Sequence, residues 1–443
     1  MFIDLPKQAA SIIRRLNDAG YSAYAVGGCV RDTLLGRVPK DWDICTSARP
    51  EELHRVFAGE HVVETGLKHG TLTVVLDHVP YEVTTYRVDG AYTDHRHPDG
   101  VTFVTDVRED LARRDFTVNA MAYHPREGLI DAFRGQEDLR QRVIRCVGRP
   151  TERFEEDALR ILRALRFAAV YGFRLEEETL AAARMLAPTL TRVAPERVRV
   201  ELGKLLCGDS AGDILRLCPE ILGVVIPELL PSVGFDQRTP HHRYDVWEHT
   251  IRTVEGIRPT EAARLAMLFH DLGKPETFTL DERGGHFYGH PKASARIADT
   301  VLTRLRVDNA THDLVCTLVE HHDIDLTPEE PLLLRRLNRF GEDTLRLLIE
   351  VHRADQLGKG TVRDEDVYRY FDVITEALDA LIDRRPCFSL KQLRINGSDL
   401  LALGLKGPAV GRTLNALLEE VMEGTTANLR GDLLARARAI AGE

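Results

Sequence analysis

No stretch of 18 or more apolar residues occurs in the 443-residue chain, so no segment is fit to cross a bilayer as a helix and no membrane partner is expected. Cysteine is sparse and without pattern. The seven residues, at positions 29, 45, 146, 207, 218, 316 and 387, are odd in number and never form CxxC. That argues against a disulfide framework or a zinc ribbon and predicts reduced, mostly buried thiols. The first sixteen residues lack the apolar core and small-residue cleavage site of a secretory signal, so a cytoplasmic location is expected. An excess of basic charge is also missing. The net charge of −10 counts at first against a nucleic-acid partner, because neutralising phosphates takes clustered Lys and Arg. The average hides a local bias: Asp138 to Lys204 carries fourteen basic against ten acidic residues, net +4, on a segment that reads as helical.

What is present is the composition of a soluble globular protein, with 43% hydrophobic and 29% charged residues. At roughly 100 to 200 residues per domain, the length predicts about three domains. The first 145 residues mix helix and strand signals. A helix is predicted from Pro6 to Asp18 and ends at Gly20, and strands are predicted at Ser22 to Val26, Thr71 to Leu76 and Tyr81 to Arg87. From Glu152 onward, Ala, Leu, Arg and Glu recur at helical spacing. Breaks are predicted near Pro150, between Pro227 and Pro240, and near Pro386.

The first informative segment is Val26-Gly27-Gly28-Cys29-Val30-Arg31-Asp32, followed by Asp41-Trp42-Asp43. Two glycines after a strand let backbone amides approach a phosphate, and Arg31 adds a charge-assisted contact. Asp41 and Asp43 are spaced i, i+2. On a strand their carboxylates share one face, which suits a pair of Mg²⁺ ions roughly 3.5 to 4 Å apart. An isolated Asp-x-Asp is more often a solvated turn. Here it has company: Arg113-Arg114-Asp115-Phe116-Thr117-Val118-Asn119-Ala120, then Asp131 to Gly135, then Glu156-Asp157-Ala158-Leu159-Arg160-Ile161-Leu162-Arg163. Asp157 and Arg160 are three apart and read as neighbours on one helix face, with Arg163 one turn further. A carboxylate accepts from the exocyclic amine of C or A, a guanidinium donates to a ring acceptor, and U or G would set a carbonyl against the carboxylate.

Taken in order, these segments (GG-x-VRD, D-x-D, RRDFT-x-NA, D-x-x-x-G and ED-x-x-R) closely resemble the class II tRNA nucleotidyltransferase and bacterial poly(A) polymerase family. The resemblance implies an α+β chain, with a polymerase-β-like head followed by an all-α neck, body, HD domain and tail. The expected division is 1–145 head, 146–240 neck and body, 241–360 HD domain and 361–443 tail. It implies template-independent addition of CCA to tRNA from CTP and ATP, with Mg²⁺ on Asp41 and Asp43. Glu82, on the next strand, is the candidate third carboxylate. Gly27, Gly28 and Arg31 are expected at the triphosphate and Arg114, Asp115 and Asn119 at sugar and phosphates. Asp157, Arg160 and Arg163 are expected at the base, and Asp131 with Gly135 in a hinge. The stretch Tyr86 to Thr105, with Tyr92 to Pro98, resembles the flexible loop of members that add the terminal A. CC addition, A addition and poly(A) synthesis use the same constellation and remain alternatives.

Around residue 241 the vocabulary changes. His249, His270-Asp271, His290, His321-His322 and Asp355 offer imidazole and carboxylate ligands with positions left for water. An adjacent His-Asp in the apolar segment Leu265 to Leu272 is costly to bury without a partner such as a metal. The set resembles the HD phosphohydrolase superfamily, which implies hydrolysis of phosphorylated or cyclic-phosphate RNA ends with Mg²⁺, Mn²⁺ or Ni²⁺. A hydrolase whose N-terminal half only binds RNA is the alternative from another class. The tail, 361–443, has eleven basic and thirteen acidic residues, and its glycine-punctuated helix starts suit either RNA phosphates or plain capping. The sequence does not set the number of subunits.

Overall fold

The apolar face of the segment after Pro6 forms the helix Lys7–Asp18, which buries Ala9, Ile12, Ile13 and Leu16. Gly20, at φ +90°, then turns the chain into the sheet. The computed structural model describes residues 3–90, 100–282, 284–384 and 386–442. The strands of the first part are β1 (Ala23–Val26), β2 (Ile44–Thr46), β3 (His61–Gly66), β4 (Thr71–Leu76), β5 (Val79–Thr85), β6 (Arg87–Asp89), β7 (Val101–Phe103), β8 (Ala122–His124) and β9 (Gly128–Ile130). Seven of them build one mixed sheet in the order β3-β4-β5-β2-β1-β8-β9, and β6 pairs with β7 alone. Strand β1 is central and buried throughout. Strands β2 and β5 run parallel, with Ile44 opposite Val83. Along β5, Tyr81, Val83 and Thr85 are buried, while Glu82 is exposed.

Helices follow, as the periodicity predicts. Pro150–Glu156 and Pro195–Leu206 each start on a proline, whose fixed φ suits a first helical position. Leu159–Tyr171 buries Leu159, Ile161, Leu162, Leu165 and Phe167. The chain divides into two compact units: residues through Leu230 with Arg304–Val307, and Pro231–Thr303 with the residues from Asp308 onward. In the second unit, Val246–Gly256, Glu261–Phe269 and Glu342–Lys359 pack together. A single apolar core runs from Leu326 to Ala437 and takes in Leu345 and Ile349 as well as Leu400, Leu417 and Leu433. Two short strands, Thr279–Asp281 and Gly284–His286, interrupt the helical pattern. All seven cysteines are free, and four are buried. Among the described residues, no helix is long and apolar enough to cross a membrane.

Candidate functional sites

The first site is built at one end of β1 and β2. Gly27 follows β1 at φ +79° and ψ −125°, and the helix Gly28–Leu34 starts directly after it. The Val26 amide donates to the Asp43 carbonyl at 3.0 Å, which ties the glycine turn to the aspartate pair. Asp41 and Asp43 lie just ahead of β2 rather than on it. The parallel register of β2 with β5 brings Glu82 to the level of Asp43. Partial burial, then Asp41, then Glu82 push the Asp43 carboxyl up to about 6, against the opposing pull of Arg114. Asp41, Asp43 and Glu82 offer carboxylate oxygens only, a donor set that fits Mg²⁺.

Beneath the glycine turn runs a buried polar network. Arg31 donates through Nη1 to Asn119 Oδ1, and Asn119 Nδ2 donates to Asp115 Oδ1 at 3.0 Å. Arg163 closes on Asp115 Oδ2 at 2.6 Å. Burial alone would raise the Asp115 carboxyl, but the Arg163 guanidinium and the Asn119 amide outweigh it and hold it below the usual range. Arg31 also stacks over the Phe167 and Tyr171 rings, at 5.1 and 4.7 Å. At φ +79° a side chain on Gly27 would be strained, and its Cβ would lie 2.8 Å from Arg114 Nη1, which would have to shift. Asp131 accepts from the Gly135 and Gln136 amides at 2.7 and 2.9 Å, capping the helix Gly135–Gln141.

One expectation is corrected. Asp157 and Arg160 do not share a helix face, because the helix breaks at Asp157, which has extended backbone (φ −145°, ψ 103°), and restarts at Leu159. Asp157 pairs with Arg197 at 2.8 Å. Arg160 pairs with Glu156 and donates to the Arg113 carbonyl at 3.2 Å. The break therefore turns Arg160 toward the Arg113 to Ala120 segment, where Arg163 also lands. The segment Tyr92 to Pro98 lies outside the described residues; its flanks, β6 and β7, pair through Arg87 and Phe103.

The second site is a buried cluster in the second unit. His249 and His270 Nε2 lie 3.1 Å apart. They approach Asp271 Oδ2 to 3.1 and 3.2 Å and Asp355 Oδ1 to 3.1 and 3.7 Å. On the other side, Asp271 Oδ1 lies 3.3 Å from His290 Nε2 and 3.7 Å from His322 Nε2. His270, His290 and His322 each set Nδ1 at 2.7 to 2.9 Å from a backbone carbonyl, of Met267, Phe287 and Val319 respectively. A carbonyl only accepts, so Nδ1 carries a proton and Nε2 is the nitrogen turned inward, as metal-binding imidazoles are held. Burial, and next His270, drop His322 to about 3, which keeps it neutral. The donor set of two imidazoles and two carboxylates, with Asp271 between it and a second imidazole pair, fits divalent cations.

Of the predicted ligands, His321 is the one not brought in. Its Nε2 faces Arg339 at 3.1 Å, because at the end of the helix Asn309–Glu320 adjacent side chains diverge and only His322 points into the cluster. Sequence reasoning missed three neighbours. Lys274 Nζ lies 2.7 Å from Asp271 Oδ2, and Lys359 Nζ lies 2.8 Å from Asp355 Oδ2, at the i+3 and i+4 spacings that could have given them away. His242, 3.1 Å from Lys274 Nζ, had no such local signal. A cavity of roughly 370 Å³ opens beside the cluster, lined by His242, Lys274, Phe287, Tyr288, His290 and Lys359 among others.

Three family matches follow the chain: the poly A polymerase head domain over 23–145, the probable RNA and SrmB-binding site of polymerase A over 172–229, and the HD domain over 241–359. The CCA-adding enzyme of Leuconostoc mesenteroides is 52% identical over 217 residues, which cover 49% of this chain and 52% of that enzyme, so in that match the chain spans about half the relative's length. That of Levilactobacillus brevis is 50% identical over 431 residues, 97% of this chain and 96% of the relative. Among solved structures, the Bacillus stearothermophilus CCA-adding enzyme in complex with CTP superposes with a TM-score of 0.73 at 29% identity, covering 99% of this chain and 98% of that one. With a relative 50% identical over nearly the full length of both chains, this chain belongs to the CCA-adding enzyme family.

Proposed function

We propose that the chain adds CCA to the 3′ end of tRNA from CTP and ATP, with head 1–145, neck and body 146–240, HD domain 241–360 and tail 361–443. The observation that carries the reading is that the β2–β5 register sets Glu82 level with Asp43, next to Asp41 and beside the Gly27 turn. Mg²⁺ held there would activate the attacking 3′-hydroxyl and stabilise the leaving pyrophosphate. Gly27, Gly28 and Arg31 receive the triphosphate. Arg114, Asp115 and Asn119 hold sugar and phosphates, with Asp115 fixed by Arg163. Asp157 and Arg160 select C and A once they exchange Arg197 and Glu156 for a base edge. Primer extension on tRNA lacking its end tests this: wild type gives CCA, and Asp41→Ala gives no extension while tRNA binding persists. Product that stops at CC, or runs on as poly(A), overturns the assignment.

The buried His/Asp cluster supports a second reading, metal-dependent hydrolysis of phosphoesters at RNA ends. His249, His270, Asp271 and Asp355 hold one cation, and His290 and His322 share Asp271 with another. Lys274 and Lys359 neutralise the two aspartates at the mouth of the cavity. Clearing a terminal phosphate would leave the free 3′-hydroxyl that nucleotide addition needs. A 2′,3′-cyclic nucleotide should be hydrolysed by wild type and not by Asp271→Ala, and equal rates would remove this reading.

A further inference from the structure

A third group of ligand-type side chains lies apart from both sites. Asp299, on the helix His290–Arg304, faces His312 and Cys316, one turn apart on Asn309–Glu320. One ligand atom from each lies within 4.8 Å of the others. His312 Nε2 is 3.0 Å from Asp299 Oδ1, while Nδ1 is 3.2 Å from Asp313 Oδ1. His312 Nε2 is buried and makes no hydrogen bond of acceptable geometry, and the ligand donors around it are the Asp299 carboxylate and the Cys316 thiol. A carboxylate at the other ring nitrogen, here Asp313, is the kind of partner that orients metal-bound histidines.

We propose that Asp299, His312 and Cys316 bind a borderline-soft divalent cation, Zn²⁺ in the first place, with water as fourth ligand. Thiolate, imidazole and carboxylate together select Zn²⁺ over Mg²⁺ or Ca²⁺, which take oxygen. At bond lengths of about 2.0 to 2.3 Å, tetrahedral ligands lie roughly 3.3 to 3.8 Å apart, a distance the three side chains reach by small rotations. Binding deprotonates Cys316, and the proton leaves to solvent. The role is structural. His290 opens the first helix and His322 follows the second by two residues, so a clamp here pins both elements that supply the outer imidazoles of the hydrolase cluster.

The test uses the full chain, stripped of metal by chelation and titrated with Co²⁺, read by thiolate-to-cobalt charge-transfer absorption in the near ultraviolet. The two other proposed sites have no cysteine ligand, so the band reports this one. Wild type and Asp271→Ala should both show it, while Cys316→Ser should lose it. Asp313→Asn should weaken Co²⁺ binding about 10- to 100-fold by releasing the imidazole. Asp299→Ala, at an exposed position, should weaken it in the same titration without disturbing the fold. No band in wild type, a band that survives Cys316→Ser, or unchanged affinity in Asp299→Ala overturns the site.

Discussion

Replacing Asp43 with Asn should abolish nucleotide addition and, in metal-free protein, make the first unit more stable. The carboxyl is lifted from 3.8 to about 6 by burial, Asp41 and Glu82. At about 1.4 kcal/mol per pH unit, its ionisation in the folded state costs about 3 kcal/mol. The sign follows from the order of the two pKa values. The folded state holds its proton longer than the unfolded chain, so stability falls as pH rises from about 4 to 6 and stays reduced above that. Asn has no charge to bury. The variant should therefore exceed wild type by about 3 kcal/mol at pH 8, by about half of that at pH 5, and by only about 0.5 kcal/mol at pH 4. The chain has two tryptophans, and Trp42 lies between the aspartates, so urea unfolding in chelator, followed by fluorescence in a Trp247→Phe background, reads the first unit alone. Added Mg²⁺ should stabilise only the Asp43 protein and close the gap. A variant no more stable than wild type at pH 8, or a gap that is the same at pH 5 and 8, refutes the reasoning.

Gly27→Ala places a Cβ 2.8 Å from Arg114 Nη1 at φ +79°, at a conformational cost of about 1 to 3 kcal/mol; incorporation should collapse, and a wild-type kcat would count against the phosphate-loop role. Gly358→Ala sets a methyl 2.5 Å from Thr253 Cγ2 and 3.1 Å from His249 Nδ1. It should displace His249 and abolish cyclic-phosphate hydrolysis while CCA addition continues, as assayed side by side on one preparation. Asp157→Ala removes the acceptor for an exocyclic amine and strands Arg197. Its preference for CTP and ATP over UTP and GTP should fall by a factor set by about 1 to 3 kcal/mol, and undiminished selectivity in competition assays would move base reading elsewhere.

Local signals made the elements legible. The apolar stripe of Lys7–Asp18 and its glycine exit, the β-rich runs, and the shift to helical spacing after Pro150 are carried by short-range sterics and periodicity, and they recur in the structure with small changes of boundary. The helix break at Asp157 had no comparable signal. Glu-Asp-Ala-Leu is compatible with an uninterrupted helix; in the structure Asp157 instead accepts from the Leu159 amide at 3.1 Å and pairs with the distant Arg197, while Arg160 reaches the Arg113 carbonyl. The choice between His321 and His322 was equally hidden. Both are imidazoles, and which one faces Asp271 depends on where the helix Asn309–Glu320 ends against its neighbours.

The order and kind of chemical groups were therefore fixed by the chain itself, because a glycine turn, an aspartate pair or a His-Asp dipeptide spans a few residues and is written directly in them. Convergence was not. Parallel pairing of β2 with β5 brought Glu82 to Asp43, and helix packing brought His249, Asp271 and Asp355 to within about a bond's reach of one another across more than a hundred residues. Such meetings depend on register and packing, which sum over the whole unit, and so only the tertiary structure decided them.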